Sequence, residues 1–357
     1  MPNIDLFTPE TMDGVVKALP PVHTFFKDTF FNVAKPQYTE KVRVEFTKGT
    51  RKIAPFVNLK DKAKVVKKLG YVSDDYETPV VRVKDVTTIE DMLKRLPGEL
   101  LQNSGITPLD RGIQLMADQL SSFEDMITRR EEWMCVKAMM DGVIPVVGEG
   151  VNYEIDFGFT NKSTVSTLWD SADGKPTPHA DLQAAVLACK QKGYRTPNIC
   201  IMERSAWNAF LKATKADEYY KQHKDILDII TVRPERRNDA VTFMGRLLDP
   251  DLDIYVYDEW YVDDWTDPEN PAEKSLMPKG KILLASTNAR YSMYYGLQMF
   301  TDPQTGNFRQ VVGTRAADSW VQKDPDGRFL TLNARPLPVP HEVDSWYVLT
   351  VSATEAE

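Results

Sequence analysis

The sequence contains few of the residues that build catalytic and metal sites. Its 357 residues include four histidines and three cysteines. The histidines lie far apart and the cysteines form no C-x-x-C pair, so we expect no metal site. An odd and scattered set of cysteines is typical of buried thiols in a reducing compartment. These cysteines are Cys135, Cys189 and Cys200.

Sequence motifs of the common enzyme classes are also missing. There is no G-x-x-x-x-G-K-[ST] phosphate loop, no G-x-S-x-G turn around a nucleophilic serine and no H-E-x-x-H pair. Gly148-Glu149-Gly150 begins like a G-x-G-x-x-G dinucleotide motif but stops after two glycines. We therefore predict that the protein is not an enzyme and has no catalytic, cofactor-binding or metal-binding residues.

The sequence also lacks long apolar runs and a surplus of positive charge. No apolar run approaches the ~20 residues that a membrane-spanning helix needs, and the first residues do not resemble a signal peptide. The formal net charge is −8, and so acidic a chain is not expected to bind nucleic acid over its whole surface. We expect a soluble protein that is made in a cytoplasm. Its negative net charge would suit a protein surface that lines a space containing DNA and must not adhere to it.

The N-terminal region is irregular. Prolines interrupt the first 40 residues, and Pro20-Pro21 forbids a continuous helix. Two interpretations of the phenylalanine cluster that follows remain open: an extended arm with an adhesive patch, or a short amphipathic helix that packs on the protein's own core. The cluster consists of Phe25, Phe26, Phe30 and Phe31.

Two strand patterns flank a lysine-rich segment. Lys41–Thr47 alternates between apolar and charged residues, and a second alternating pattern begins near Val80, which predicts two half-buried strands. The segment between them is longer than an ordinary hairpin loop. From Lys41 to Gly70 there are ten Lys/Arg against Glu45 and Asp61, a net charge of +8. We predict a long basic hairpin that is ordered by something other than its own core.

The strongest local pattern predicts a very long helix. Thr107 is a suitable N-cap, Pro108 suits the first helical position and Asp110 places an acid at the third. Apolar residues then recur at helical spacing as far as Gly142, a plausible C-terminal stop. A helix of this length needs a partner along its axis or a curved sheet beneath it.

An α+β pattern follows from about residue 175. It predicts one helix that ends at Gly193 and another around Trp207. The predicted strands are 198–202, 241–248, 254–257, 281–286 and 291–295, and then a closing pair, 328–334 and 346–351, joined by a proline-rich link.

A second charge block lies inside this region. From Asp249 to Glu273 there are ten Asp/Glu and no Lys/Arg, a net charge of −10. Each charge block is either a solvated face or a contact between subunits, where charge matching sets orientation and encounter rate.

The order of these parts resembles that of the lambda-type major capsid proteins of tailed bacteriophages, which have the Hong Kong 97-like shell fold. The resemblance runs from about Phe25 to Ser352. The stretches that carry it are Phe25-Phe26-Lys27-Asp28, Tyr38–Val42, Arg95–Glu99, Trp207–Phe210, Thr287–Arg290, Asp324–Phe329 and Ala334–Pro338.

The resemblance implies an α+β fold in five segments. They are an N-terminal arm (1–45), an E-loop hairpin (46–85), a peripheral domain with a long spine helix (86–165), an axial domain (166–322) and C-terminal strands of the peripheral domain (323–357).

The resemblance also implies a function and partners. The subunit would self-assemble, through hexamers and pentamers, into the icosahedral capsid that encloses the phage genome. It would work with a separate scaffolding protein and a decoration protein, and would surround packaged DNA without sequence-specific binding or a membrane. It would occur in the virion, and in the host cytoplasm during assembly. The alternatives are an encapsulin-like compartment and, from a different class, a small-molecule-binding α+β enzyme domain.

The E-loop of such proteins lies across a neighbouring peripheral domain. We therefore expect contacts between subunits that involve the hairpin lysines, acids of the spine helix and the phenylalanines of the arm. These residues are Lys60, Lys62, Lys64, Lys67, Lys68, Glu124, Glu131, Glu132, Phe25, Phe26, Phe30 and Phe31.

Overall fold

The computed structural model describes residues 24–46, 72–94, 107–148, 150–171, 174–216, 230–263, 271–301, 306–323 and 326–353, with the single positions 53, 54, 56 and 62. The chain divides into two compact units. The first contains the described parts of Met1–Val42, Tyr76–Glu132 and Ser292–Pro338. The second contains the described parts of Arg43–Asp75, Trp133–Tyr291 and Val339–Glu357.

The helices of the described residues are α1 (Phe26–Thr29), α2 (Ile89–Leu93), α3 (Pro108–Met140), α4 (Pro178–Ala188), which continues as a π-helical turn (Cys189–Gly193), and α5 (Arg204–Ala216). The first strands are β1 (Ala34–Pro36), β2 (Lys41–Phe46), β3 (Val72–Glu77), β4 (Val81–Thr88), β5 (Val143–Gly148), β6 (Val151–Asp156), β7 (Lys162–Thr164), β8 (Ile199–Met202), β9 (Ile230–Arg236) and β10 (Val241–Leu247). The later strands are β11 (Leu252–Tyr257), β12 (Trp260–Val262), β13 (Glu273–Ser275), β14 (Lys281–Ala285), β15 (Tyr291–Tyr295), β16 (Gln298–Thr301), β17 (Phe308–Val311), β18 (Ala316–Lys323), β19 (Asp326–Ala334), β20 (Pro336–Pro340) and β21 (Tyr347–Thr350).

The predicted long helix is confirmed as α3, together with its N-terminal cap. The Asp110 carboxylate accepts hydrogen bonds from the Thr107 backbone N–H (2.9 Å) and hydroxyl (2.7 Å), while the Thr107 hydroxyl accepts one from the Asp110 N–H (3.2 Å). These reciprocal bonds satisfy N–H groups that a helix start leaves without partners.

A sheet supplies the packing surface that α3 requires. In the first unit, β19 pairs antiparallel with both β18 and β4. Buried side chains of α3 at helical spacing pack against alternate residues of this sheet, which gives the unit its core. These residues are Met116, Leu120, Phe123 and Ile127 of α3, with Ala317, Leu330, Leu332 and Ala334 of the strands.

The second unit is built on a seven-stranded mixed sheet with strand order β7-β21-β14-β8-β11-β10-β9. Helices α4 and α5 share one hydrophobic core with it, which includes Leu182, Phe210, Ile254 and Leu284. The predicted stop at Gly142 also belongs to this unit. Gly142 has φ +70°, and a Cβ there would lie 2.3 Å from Cβ of Phe159, so both conformation and space require glycine.

Two predictions about strand pairing and one about a connecting link are wrong. Strand β2 pairs with β3, whereas β4, the predicted hairpin partner near Val80, pairs with β19. The closing strands do not pair either, since β19 lies beside β18 and β4 while β21 lies between β14 and β7. The proline-rich link is itself strand β20, at the edge of the three-stranded sheet β1-β15-β20, where the missing N–H of proline is tolerated.

In the part of the chain that the structure describes, no helix is long and apolar enough to cross a membrane. The three cysteines are buried, as predicted, and none of them is in a disulfide bond.

Candidate assembly surfaces

The Glu132 carboxylate, from the C-terminal third of α3, caps the start of α1. It is only 3% exposed and accepts hydrogen bonds from the backbone N–H groups of Phe25 (2.9 Å), Phe26 (2.7 Å) and Lys27 (2.9 Å). Negative charge is favourable at a helix start, whose first N–H groups have no partners within the helix. Glu132 therefore ties the N-terminal region to α3.

The neighbouring Glu131 lies at the centre of a buried ion-pair network. It is 0% exposed, and its oxygens accept hydrogen bonds from Lys27 Nζ (2.7 Å) and from a guanidinium nitrogen of Arg315 (2.6 Å). Arg315 Nε also donates to Glu124 (2.7 Å). Burial alone would raise the pKa of Glu131, but the charges of Arg315 and Lys27 outweigh it and lower that pKa. The network joins α1, α3 and the residue before β18.

These contacts correct our expectation for Glu131 and Glu132, whereas the role of Glu124, whose side chain is 20% exposed, stays a prediction. Glu124, Glu131 and Glu132 all have partners in their own chain. Because Glu131 and Glu132 are also buried, neither presents a carboxylate to a lysine of a neighbouring subunit. Sequence spacing shows where these acids lie along the helix. It does not show which side of the helix will be covered by a strand that lies almost 200 residues later in the chain.

The aromatic patch of the arm is corrected in the same way. The four phenylalanines are buried within the chain, and Phe25 packs edge-on against Phe26 with ring centroids 6.0 Å apart. The second interpretation, a short helix on the protein's own core, is the one observed. The exposed fractions are 8% for Phe25, 0% for Phe26, 3% for Phe30 and 1% for Phe31.

Most of the basic hairpin lies outside the described residues. Of the five lysines predicted to contact a neighbour, Lys62 is described and is exposed. Lys60, Lys64, Lys67 and Lys68 lie outside the described residues, and their role stays a prediction.

The acidic block begins at an exposed turn between β10 and β11. Asp249, Asp251 and Asp253 have side chains that are 54%, 64% and 39% exposed. Arg246 hydrogen-bonds Asp251 (2.7 and 2.9 Å) and lies 3.9 Å from Asp253. Asp251 and Asp253 thus share one guanidinium, and the three aspartates together with Arg246 carry a net negative charge.

A cluster of lysines, not found from the sequence, surrounds Asp141 at the C-terminal end of α3. Lys137 Nζ lies 3.0 Å and Lys281 Nζ 3.7 Å from the Asp141 carboxylate. Lys162 Nζ donates to the Asp141 carbonyl oxygen at 2.6 Å. Only the i,i+4 pair of Lys137 and Asp141 could have been read from the sequence, since the other two lysines arrive on β7 and β14.

The described residues hold no group of histidine, cysteine and acidic side chains that could bind a metal ion. Burial, together with the charge of Asp344, raises the pKa of the Cys189 thiol to about 12. Burial also raises the pKa of Cys200. Neither thiol is therefore activated as a nucleophile.

A family model described as phage major capsid protein E matches residues 8–351. The chain belongs to this family. It is therefore a structural subunit of a tailed-phage capsid shell, a class of protein that is not enzymatic, and the virion is where it acts. Family membership also favours the phage shell over the encapsulin alternative. No curated protein matches the sequence significantly.

Solved structures support the fold. A protein assigned as the capsid protein of a prophage in E. coli CFT073 superposes with a TM-score of 0.68 at 17% identity, covering 96% of this chain and 99% of that one. A phage-related protein from Bordetella bronchiseptica RB50 gives 0.52 at 13% identity, covering 97% and 98%. The capsid subunit therefore has the Hong Kong 97-like α+β fold.

Proposed function

We propose that the subunit forms its shell through hexamers and pentamers, assembled in the host cytoplasm. The observation that carries this proposal is the separation of opposite charges on one chain, with ten Lys/Arg against two acids in Lys41–Gly70 and ten acids without Lys/Arg in Asp249–Glu273. Such surfaces suit contact between different faces of neighbouring copies, which closes into rings when the rotation permits.

We further propose that the five segments keep the roles that the resemblance implies. The association of α3 with β4, β18 and β19 supports a peripheral domain around a spine helix, and the seven-stranded sheet with α4 and α5 supports an axial domain. Exceptions are β4 and β18, which fall mainly in the E-loop and axial segments but pair with β19, and β7 and β21, which fall in the peripheral segments but lie in the seven-stranded sheet.

The hairpin lysines are proposed to meet acidic surface of a neighbouring subunit other than Glu131 and Glu132. Each exposed pair should contribute at most about 1 kcal/mol, but a shell repeats each contact many times. Reversing Lys64, Lys67 and Lys68 to Glu should impair assembly at low salt, and high salt should slow assembly of the wild type because the Debye length falls to about 3 Å at 1 M. Normal assembly of the triple variant at low salt would show that the basic block is only a solvated face.

A separate scaffolding protein, a decoration protein and packaged DNA bound without sequence preference complete the proposal. The acidic net charge of −8 supports weak, non-specific contact with DNA. Electron microscopy of the purified protein, with and without candidate phage proteins, tests the whole proposal. Closed shells, hexamers or pentamers are expected, whereas a small monodisperse oligomer under all conditions would contradict it.

A further inference from the structure

The lysine cluster around Asp141 has more positive charge than the Asp141 carboxylate neutralises. Lys137 and Lys281 face the Asp141 carboxylate and Lys162 faces its backbone carbonyl, so three lysines from α3, β14 and β7 are set against one acid and the formal charge is +2. The C-terminal end of α3 offsets part of this charge through its dipole, equivalent to about half an elementary charge. Lys137 and Lys281 are 29% and 31% exposed, and Lys162 is exposed, so the cluster is accessible.

The turn between β10 and β11 has the opposite charge. Asp249, Asp251 and Asp253 are set against Arg246, for a formal charge of −2. Asp249 accepts a hydrogen bond from the Gln183 amide at 3.1 Å and lies 3.6 Å from the His179 imidazole. The side chains of Asp249 and Asp251 are more than half exposed.

The two groups lie at opposite ends of the same sheet. Strand register places Asp253 beside Ile199, and Ile199 beside Ala285. Lys281 lies four residues before Ala285 on β14. Lys281 is therefore separated from Asp253 by about 13 Å along the strand direction and by about 10 Å, two strand spacings, across the sheet. That distance exceeds the Debye length of about 8 Å at physiological ionic strength. The charges therefore remain unneutralised by each other within one chain.

We propose that the acidic β10–β11 turn of one subunit docks on the lysine cluster around Asp141 of a second copy. The inference rests on the proposed function and specifies one contact within it. The formal charges of −2 and +2 match. Because the two surfaces are different and lie at opposite ends of one sheet, the contact is head-to-tail, which is the type of contact that closes a ring.

Charge reversal tests this contact. Lys162→Glu with Lys281→Glu should raise the protein concentration for half-maximal assembly about tenfold or more, because like charges would then face each other. Asp251→Lys with Asp253→Lys should do the same from the other side. The control is Lys212→Glu with Lys215→Glu on the exposed face of α5. This control changes the net charge by the same amount as the two lysine reversals in the cluster.

Mixing the variants gives a sharper test. In the variant with both lysines reversed, the two docking surfaces are acidic, and in the variant with both aspartates reversed they are basic. Each copy can then dock only on a copy of the other variant, so only rings in which the two variants alternate can form. Native mass spectrometry or electron microscopy of an equimolar mixture should show six-membered rings restored and five-membered rings absent. A single chain with all four reversals should restore both ring types.

The outcomes separate this contact from the general function. If wild-type shells form but the lysine-reversed variant behaves like the α5 control, the contact is refuted while the capsid function stands. Restoration of odd-membered rings by the mixture would also refute it. If the wild type forms neither rings nor shells under any condition, the proposed route through hexamers and pentamers fails first.

Discussion

Removing Arg315 should destabilise the first unit strongly. In Arg315→Met, the fully buried Glu131 keeps only Lys27 as a cationic partner. Breaking a buried ion pair from one side costs about 3–5 kcal/mol, a large part of the roughly 5–15 kcal/mol by which proteins are stable. If the free energy of unfolding falls by about 2–3 kcal/mol for each 1 M of urea, the urea concentration at the unfolding midpoint should fall by about 1–2 M. Urea unfolding of the subunit, followed by tryptophan fluorescence, measures this shift.

Two comparisons make the Arg315 prediction refutable. Arg43→Met removes an exposed pair with Asp75, 2.8 Å apart, and should cost less than about 1 kcal/mol. The pKa of Glu131 is lowered in the folded wild type. The network therefore stabilises the folded protein at pH values above the usual glutamate pKa. This stabilisation is lost as the pH falls through the lowered pKa of Glu131 in the folded state. Without Arg315, burial should raise this pKa instead. The difference in free energy of unfolding between wild type and Arg315→Met should therefore decrease toward pH 4. A difference that stays constant with pH would refute the reasoning.

Further predictions concern the arm, the histidines and the thiols. Glu132→Ala should accelerate hydrogen exchange of the amides of residues 25–27 more than Glu124→Ala does, because three N–H groups lose their acceptor; equal protection in both variants would contradict the capping role. Replacing each histidine by Gln should leave assembly nearly unchanged by light scattering, and loss of a bound metal would refute this. Cys189 and Cys200 should resist alkylation in the native subunit at pH 8, and rapid labelling would show that they are accessible.

Local patterns allowed the principal elements to be predicted because their causes are local. The Thr107–Asp110 cap and the apolar spacing of α3 depend on residues within a few turns of each other. Helices α4 and α5 and strands β8, β10, β11, β14 and β21 of the second unit followed from the same kind of periodicity. Within the described residues, twelve strands were not predicted by the patterns, including β5, β6 and β20. They are short, lie at sheet edges or contain proline or glycine, and the period of two is weak in such strands.

Strand partners and charge partners could not be predicted in this way, because both depend on contacts between distant parts of the chain. Glu131 and Lys27 are 104 residues apart, and Arg315 is 184 residues from Glu131. A periodic pattern shows that a helix has two faces, but not which residues will cover them. Acids that read as an exposed face of α3 are in fact buried against Arg315 and α1.

The amino-acid sequence by itself therefore determined the order of elements, the length of the spine helix, the two charge blocks and the resemblance to capsid proteins, since each depends on composition or on near neighbours. Only the tertiary structure decided that β2 pairs with β3, that β21 completes the seven-stranded sheet and that three lysines converge on Asp141. The physical reason is that burial and ion pairing are properties of surfaces in contact, and those surfaces exist only after distant segments have packed together.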